Sequence, residues 1–327
     1  MNINTNIIFD ISNDDEFNRQ CLKVFEFQLY NNKVYYEYVK YRNIKISKIK
    51  TIYDIPFLPV EFFKTHKIIS GINPEKTIFT SSGTTGNNTS KHYVSDLSLY
   101  KKSFIKTFNQ FYGNPHEYTI LALLPSYLER QGSSLIYMVE NLIELSKNTN
   151  SGFYLNNHKQ LYEKLLFLEN QNQKTLLIGV SFALLDFFEK YKMNLKSTII
   201  METGGMKGRR KEIIRKELHE ILCKASGLKS IHSEYGMTEL LSQAYSSGNS
   251  IFSTPPYMKI LIRDTNDPYT YQPKGQSGGI NVIDLANIYS CSFIETKDLG
   301  KLHSDGTFEV SGRFDNSDIR GCNLMTM

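Results

Sequence analysis

Three short, largely apolar runs, 118–124, 175–180 and 197–201, lack the polar alternation of a half-exposed strand. Such runs read as strands covered on both faces, the signature of a parallel sheet. Stretches with apolar residues at helical spacing stand beside them at 133–145, 182–191 and 210–224, with Gly227 positioned as a C-cap of the last. Strand–helix alternation of this kind predicts an α/β architecture, with parallel or mixed sheets flanked by helices. Upstream, Asn13-Asp14-Asp15-Glu16 reads as a helix N-terminus. The stretch 95–111, capped by Ser95 or Asp96, carries Leu97, Tyr100, Phe104 and Phe108 on one face. Pro56 and Pro59 make 51–69 an extended entry segment. Beyond residue 250 the texture becomes short β-like pieces separated by Pro, Gly, Asn and Asp, which predicts a small antiparallel subdomain. The expected organisation is an α/β region at 1–250 and a β-rich subdomain of the same unit at 251–327, ending in a hinge-like segment.

With 327 residues the chain can bury a large core as one domain or two. No apolar run approaches the roughly 20 residues of a membrane span. Residues 1–15 lack the basic region and apolar core of a secretory signal. Cys21, Cys223, Cys291 and Cys322 lie far apart with no CxxC pair, which argues against a disulfide framework or a zinc site and for a reducing cytoplasm. The net charge of +5 is mild, and its densest cluster, Lys207-Gly208-Arg209-Arg210-Lys211, reads as a solvated helix face rather than a nucleic-acid surface. A cytoplasmic protein with no nucleic-acid partner is expected.

The stretch most suggestive of chemistry is Thr80-Ser81-Ser82-Gly83-Thr84-Thr85-Gly86, closed by Lys91 and preceded by the apolar Thr77-Ile78-Phe79. It reads as a strand emptying into a loop with almost no side-chain bulk. Such a loop brings backbone N–H groups against phosphate oxygens, and its hydroxyls and lysine add donors and charge. It is not a P-loop, because two residues rather than four separate Gly83 from Gly86. A flexible linker has the same composition, but the substantial apolar sequence on both sides argues against one.

Three further segments follow in order: Ser233-Glu234-Tyr235-Gly236-Met237-Thr238-Glu239, then Glu295-Thr296-Lys297-Asp298-Leu299-Gly300, then Gly312-Arg313-Phe314-Asp315 running on to Gly321. Singly, they read equally as a turn before a helix, a hairpin turn and a surface salt bridge. Jointly, their order and spacing resemble the adenylate-forming, acyl-activating enzymes over roughly 77–321, about three quarters of the chain. Ser90-Lys91-His92-Tyr93-Val94 and Leu124-Pro125-Ser126-Tyr127-Leu128-Glu129-Arg130 narrow the resemblance to the acyl-protein synthetase family, the fatty-acid-activating component of bacterial luminescence reductase complexes.

The resemblance implies ATP and Mg²⁺ as cofactors and a role for each motif. Thr80 to Gly86 would wrap the β- and γ-phosphates, with Lys91 adding positive charge. Gly204 and Gly205 would admit the adenine to the backbone, and Tyr235, followed by Gly236 and Met237, would stack on it. Thr238 would donate to the α-phosphate and Glu239 would hold Mg²⁺. Asp298 would accept from both ribose hydroxyls, and Arg313 would reach the ribose or phosphates. Cys322 would carry the acyl group before a partner receives it. An apolar tunnel near 121–127 would take the chain of a fatty acid. The given sequence stops at Met327 with no lysine after Lys301, so the catalytic lysine of the mobile C-terminal domain that most adenylate-forming enzymes carry is expected to be dispensed with or supplied by another chain. Two other readings stay open: a coenzyme A ligase of the phenylacetate-CoA ligase type, and a module that binds ATP or acyl-adenylate for a partner. The acceptor is accordingly a reductase-like or carrier protein, or coenzyme A.

Overall fold

In the computed structural model, residues 5–81, 89–125, 132–204 and 213–314 are described. The strand Thr119–Leu123 lies inside the six-stranded sheet of the α/β layer. Its five residues are all buried, and it pairs in parallel with Gly152–Tyr154 on one side and Thr175–Val180 on the other. The sheet continues in parallel through Thr198–Thr203 and His232–Tyr235 and ends on the antiparallel Ala244–Ser246. The three unbroken apolar runs thus become three adjacent central strands.

Helices form the connections, as parallel strands require. Ser134–Ser146 packs on Thr119–Leu123, and Ser181–Lys190 packs on Thr175–Val180 and against Arg215–Ser226. Their starts and stops follow local chemistry. The Asp96 carboxylate accepts from Ser98 N at 2.9 Å to cap Leu97–Tyr112, and Gly227 ends Arg215–Ser226 in the left-handed region at φ +76°. This last helix begins at Arg215 rather than near residue 210; residues 205–212, including the basic cluster, lie outside the described part.

The second sheet is antiparallel in its main path: Ile251–Phe252, Phe308–Arg313, Phe293–Leu302, Ser277–Asp284 and Met258–Arg263, in that spatial order. Leu58–Pro59 adds a short parallel pairing to Phe293–Leu302. The pieces are longer than the sequence texture suggested, reaching ten residues in Phe293–Leu302. The N-terminal helices Asp14–Asn31 and Lys33–Tyr41 pack on this sheet: Tyr35 stacks on Phe293, Phe25 meets the same ring edge-on, and the buried Gln28 amide donates to Ile288 O at 2.8 Å. The segment 51–69 is not wholly extended; it holds the turn Ile52–Asp54 and the short helix Phe62–Thr65. Among the described residues, no helix is long and apolar enough to cross a membrane.

Candidate functional site

The candidate site lies where the ends of the two sheets meet. Tyr235 closes the strand His232–Tyr235 of the parallel sheet, and its ring packs edge-on against Phe252 and Phe308 of the antiparallel one. Its hydroxyl donates to Asp298 Oδ2 at 2.8 Å. Asp298 sits inside the strand Phe293–Leu302, directly opposite Arg313 in register, and Arg313 Nε donates to Asp298 Oδ1 at 3.1 Å. Three motifs separated by many residues therefore converge on one carboxylate. Asp298 is only 7% exposed, whereas the Arg313 side chain is 73% exposed. Burial, followed by the Asp298 carboxylate, holds the Tyr235 hydroxyl far above its ordinary pKa, so it stays a donor. A carboxylate offers about four acceptor positions, so these two bonds leave Asp298 capacity for two more donors.

Asp-Leu-Gly is part of a strand, not a hairpin turn. Its glycine serves a register shift between Leu299 and Gly300, where a Cβ on Gly300 would fall 2.2 Å from Glu309 O. Likewise Gly204, at φ +68°, turns the chain out of Thr198–Thr203, and its carbonyl accepts from Ser181 Oγ at 2.7 Å.

The Ser/Thr/Gly stretch leaves and re-enters an antiparallel pair, Thr77–Thr80 with Lys91–Val94, in which Thr80 stands opposite Lys91. Ser81 N donates to Ser90 O at 3.0 Å and Ser90 N to Ser81 Oγ at 2.9 Å, so both ends of the loop are pinned together. Ser82, Gly83, Thr84, Thr85 and Gly86 lie outside the described residues, as do Gly205, Ser126 to Arg130 and Cys322. After Tyr235, Gly236 is exposed and Met237 and Thr238 are half-buried. Glu239 is buried, and burial pushes its carboxyl above the usual range, against a Ser90 hydrogen bond and the pull of Arg313. Asn287 Nδ2 donates to Glu239 O at 2.7 Å, and His92 Nδ1 donates to Thr238 O at 2.8 Å.

Residues 8–327 match the family described as acyl-protein synthetase, LuxE. The chain belongs to that family. Among solved structures, ATP-bound MatB from Rhodopseudomonas palustris is similar at 17% identity and a TM-score of 0.55, over 72% of this chain and 47% of MatB. An open conformation of 2-hydroxyisobutyryl-CoA ligase, in complex with 2-HIB-AMP and CoA, is similar at 11% identity and a TM-score of 0.67, over 93% of this chain and 70% of the ligase. At such identities the likeness is one of fold. The chain spans about half the length of MatB. No curated protein matches the sequence.

Behind the acyl-protein synthetase motifs lies a second group of ionisable residues that the motifs do not announce. Glu202 is 1% exposed; Arg215 Nε donates to its Oε1 at 2.8 Å, and His219 Nε2 stands 3.6 Å from the same oxygen. Burial pushes the Glu202 carboxyl up, but the His219 hydrogen bond and the Arg215 charge outweigh it and hold the pKa below the usual range. Neighbouring Glu234 has no such cation among the described residues. Burial, with the like charge of Glu202, pushes it up to about 7, although the Thr203 hydroxyl donates to it. Arg215 also reaches across the sheets: Nη1 donates to Val310 O at 3.2 Å, on the strand that carries Arg313. A sequence signal existed for Glu234, which is inside a motif. Glu202 and Arg215 carried none beyond being charged residues next to a buried strand.

Proposed function

We propose that the chain activates a carboxylate with ATP, forming an acyl-adenylate and pyrophosphate, and passes the acyl group to a thiol with release of AMP and the thiol proton. The observation that supports this most strongly is the convergence of Tyr235, Asp298 and Arg313 on one hydrogen-bonded unit. Bound ATP supplies the electrophilic α-phosphorus and pyrophosphate as leaving group. The chain's contribution is alignment and charge stabilisation rather than strong acid–base catalysis. Asp298, with acceptor capacity to spare, takes the ribose hydroxyls beside Tyr235, and the exposed Arg313 turns toward ribose or phosphate. The loop Thr80 to Gly86, with Lys91, meets the outer phosphates; Gly204 and Gly205 border the base; Thr238 donates to the α-phosphate.

Glu239 suits Mg²⁺ on chemical grounds. It is a buried carboxylate that forms no ion pair with a cation among the described residues, and Mg²⁺ in such sites takes one or two carboxylates with phosphates and waters. Among the described residues, no three His, Cys, Asp or Glu side chains form a ready-made metal site, in keeping with a cation that arrives with the nucleotide. Residues 1–250 and 251–327 would act as two regions of one adenylation domain.

A fatty acid is the proposed substrate, on the family's name and the apolar sequence near 121–127. Leu121 to Leu124 are fully buried, so their backbone and neighbours would form a tunnel's wall. Cys322 is the proposed acyl carrier, with a protein acceptor to follow. ATP–pyrophosphate exchange over saturated acids from about four to fourteen carbons tests the first step. Each buried methylene should add roughly 0.8 kcal/mol until the tunnel fills. A flat response, or a preference for amino or aryl acids, contradicts the fatty-acid reading. Hydroxylamine-sensitive label retained by the denatured wild type and lost in Cys322→Ser supports transfer to that thiol. Label found only on coenzyme A would instead favour the coenzyme A ligase reading, and no exchange with any acid the partner-dependent module.

A further inference from the structure

We propose that His92 and Asn287 share one buried water molecule, which donates one hydrogen to His92 Nε2 and the other to Asn287 Oδ1, and that this unit holds the backbone carbonyls of Thr238 and Glu239 in place. His92 lies in the strand Lys91–Val94, and Asn287 ends the turn Leu285–Asn287 beyond the antiparallel strand Ser277–Asp284. Both side chains are 0% exposed. His92 Nδ1 is 2.8 Å from Thr238 O, and a carbonyl only accepts, so the ring's proton is on Nδ1. In the neutral ring, Nε2 is therefore an acceptor. Asn287 Nδ2 donates to Glu239 O at 2.7 Å and to Cys291 O at 2.9 Å, which leaves Oδ1 an acceptor as well.

Neither His92 Nε2 nor Asn287 Oδ1 has a hydrogen-bond partner among the described residues. A buried acceptor without a donor is destabilising, because it has lost its bonds to water and gained none in return. Both residues line one small cavity, with about 10 Å³ of room for water, walled otherwise by groups including Leu99, Leu241 and Ala286. That is the space of about one water molecule.

Two other arrangements satisfy the pair less well. Turning the Asn287 amide over would point its oxygen at Glu239 O and Cys291 O and strip both carbonyls of their donor. Protonating Nε2 would turn it into a charged donor facing the Asn287 side chain, and the nearby amide does favour that form. Burial works against it more strongly and lowers the ring's pKa to about 4. One water supplies two donors and no charge, which is what two buried neutral acceptors require.

The consequence reaches the proposed nucleotide site. His92 holds Thr238 from the strand that closes the Ser/Thr/Gly loop, while Asn287 holds Glu239 from the antiparallel layer. His92 and Asn287 are thus positioning residues for a segment supplied by a third element. The activity part of this inference rests on the proposed function; the water itself does not.

A crystal structure of the full chain at a resolution that shows ordered waters, with ¹⁵N NMR of its histidines at neutral pH, tests the site. The expected result is one water at roughly 2.7–3.2 Å from both atoms, Nδ1 protonated and Nε2 an unprotonated acceptor. A protonated Nε2 bonded to Asn287, a reversed amide, or no water within reach of both atoms overturns it. Exchange kinetics test the positioning role. His92→Phe keeps a ring and loses both nitrogens; it should raise KM for ATP at least tenfold. His92→Asn keeps a donor at the Nδ1 position and should recover most of that loss. Equal effects of the two variants, or none from His92→Phe, contradict positioning. A wild type without exchange activity removes the proposed function and leaves the water to the crystal and the NMR spectrum.

Discussion

Two groups of ionisable side chains flank the strand His232–Tyr235, and they solve the problem of burying charge differently. In the first, Asp298 is covered but its cationic partner Arg313 stays largely in solvent, so the pair is half-open. In the second, Glu202 is enclosed with a partly covered Arg215 and His219, and burial pushes the pKa of Glu234 beside it up to about 7, so that a large share of it stays protonated near neutral pH. An open pair contributes little to stability and remains free to meet a ligand. A closed pair commits its members to each other, because removing one leaves a buried charge alone. The difference separates the group suited to binding from the group that joins the two sheets through Arg215 and Val310.

The largest effect should come from breaking the closed group. Glu202→Gln strands Arg215 and should destabilise the fold by about 3–5 kcal/mol, read from urea unfolding with an unchanged slope. Adding Arg215→Met should recover much of that loss. A loss below about 1 kcal/mol would mean that Glu202 is no more committed than Asp298.

Glu234 sharpens the same contrast through pH. Its folded pKa, about 7, lies above the ordinary value of 4.5 for a glutamate. The contribution of its protonated form is complete below pH 4.5 and is lost as pH rises through 7. Glu234→Gln cannot ionise, so its stability relative to wild type should climb by up to roughly 3 kcal/mol between pH 4.5 and 8. A constant difference across that window would show that Glu234 ionises freely in the fold.

The smallest stability change should come from the open pair. Arg313→Gln should cost under about 1 kcal/mol in unfolding and yet weaken ATP binding measurably. Glu239→Gln, nearby, should depress exchange and shift its Mg²⁺ dependence. Unaltered exchange in both variants would detach the open group from nucleotide chemistry.

The unequal legibility of the two groups has the same origin. Tyr235, Asp298 and Arg313 stand in short sequence signatures, so a resemblance could bring them together before any fold was known. Glu202, Arg215 and His219 meet only because Thr198–Thr203 lies beside His232–Tyr235 and under Arg215–Ser226, an outcome of sheet order that spacing does not encode. The central strands were legible because burial on both faces removes polar residues from 118–124, 175–180 and 197–201. The strand Gly152–Tyr154 has three residues, too few for a pattern, and the helix His158–Asn170 buries only Leu161, Leu165 and Leu168 while exposing Leu166 and Phe167, which blurs its apolar face. Asp-Leu-Gly carries turn chemistry that the fold uses for an irregularity inside a strand. Asn287 was silent, and His92, although inside the Ser90–Val94 segment, announced no role, because each acts on a backbone carbonyl, whose position no residue type reveals.

The central claim is that the carboxylate shared by Tyr235 and Arg313 belongs to a nucleotide site. Titration of ATP into the wild type and into Asp298→Ala, each first shown folded, addresses it directly. Removing a charged acceptor from two hydroxyls should weaken binding by roughly 1.5–3 kcal/mol, about ten- to a hundredfold in Kd. ATP affinity unchanged in folded Asp298→Ala would contradict the claim.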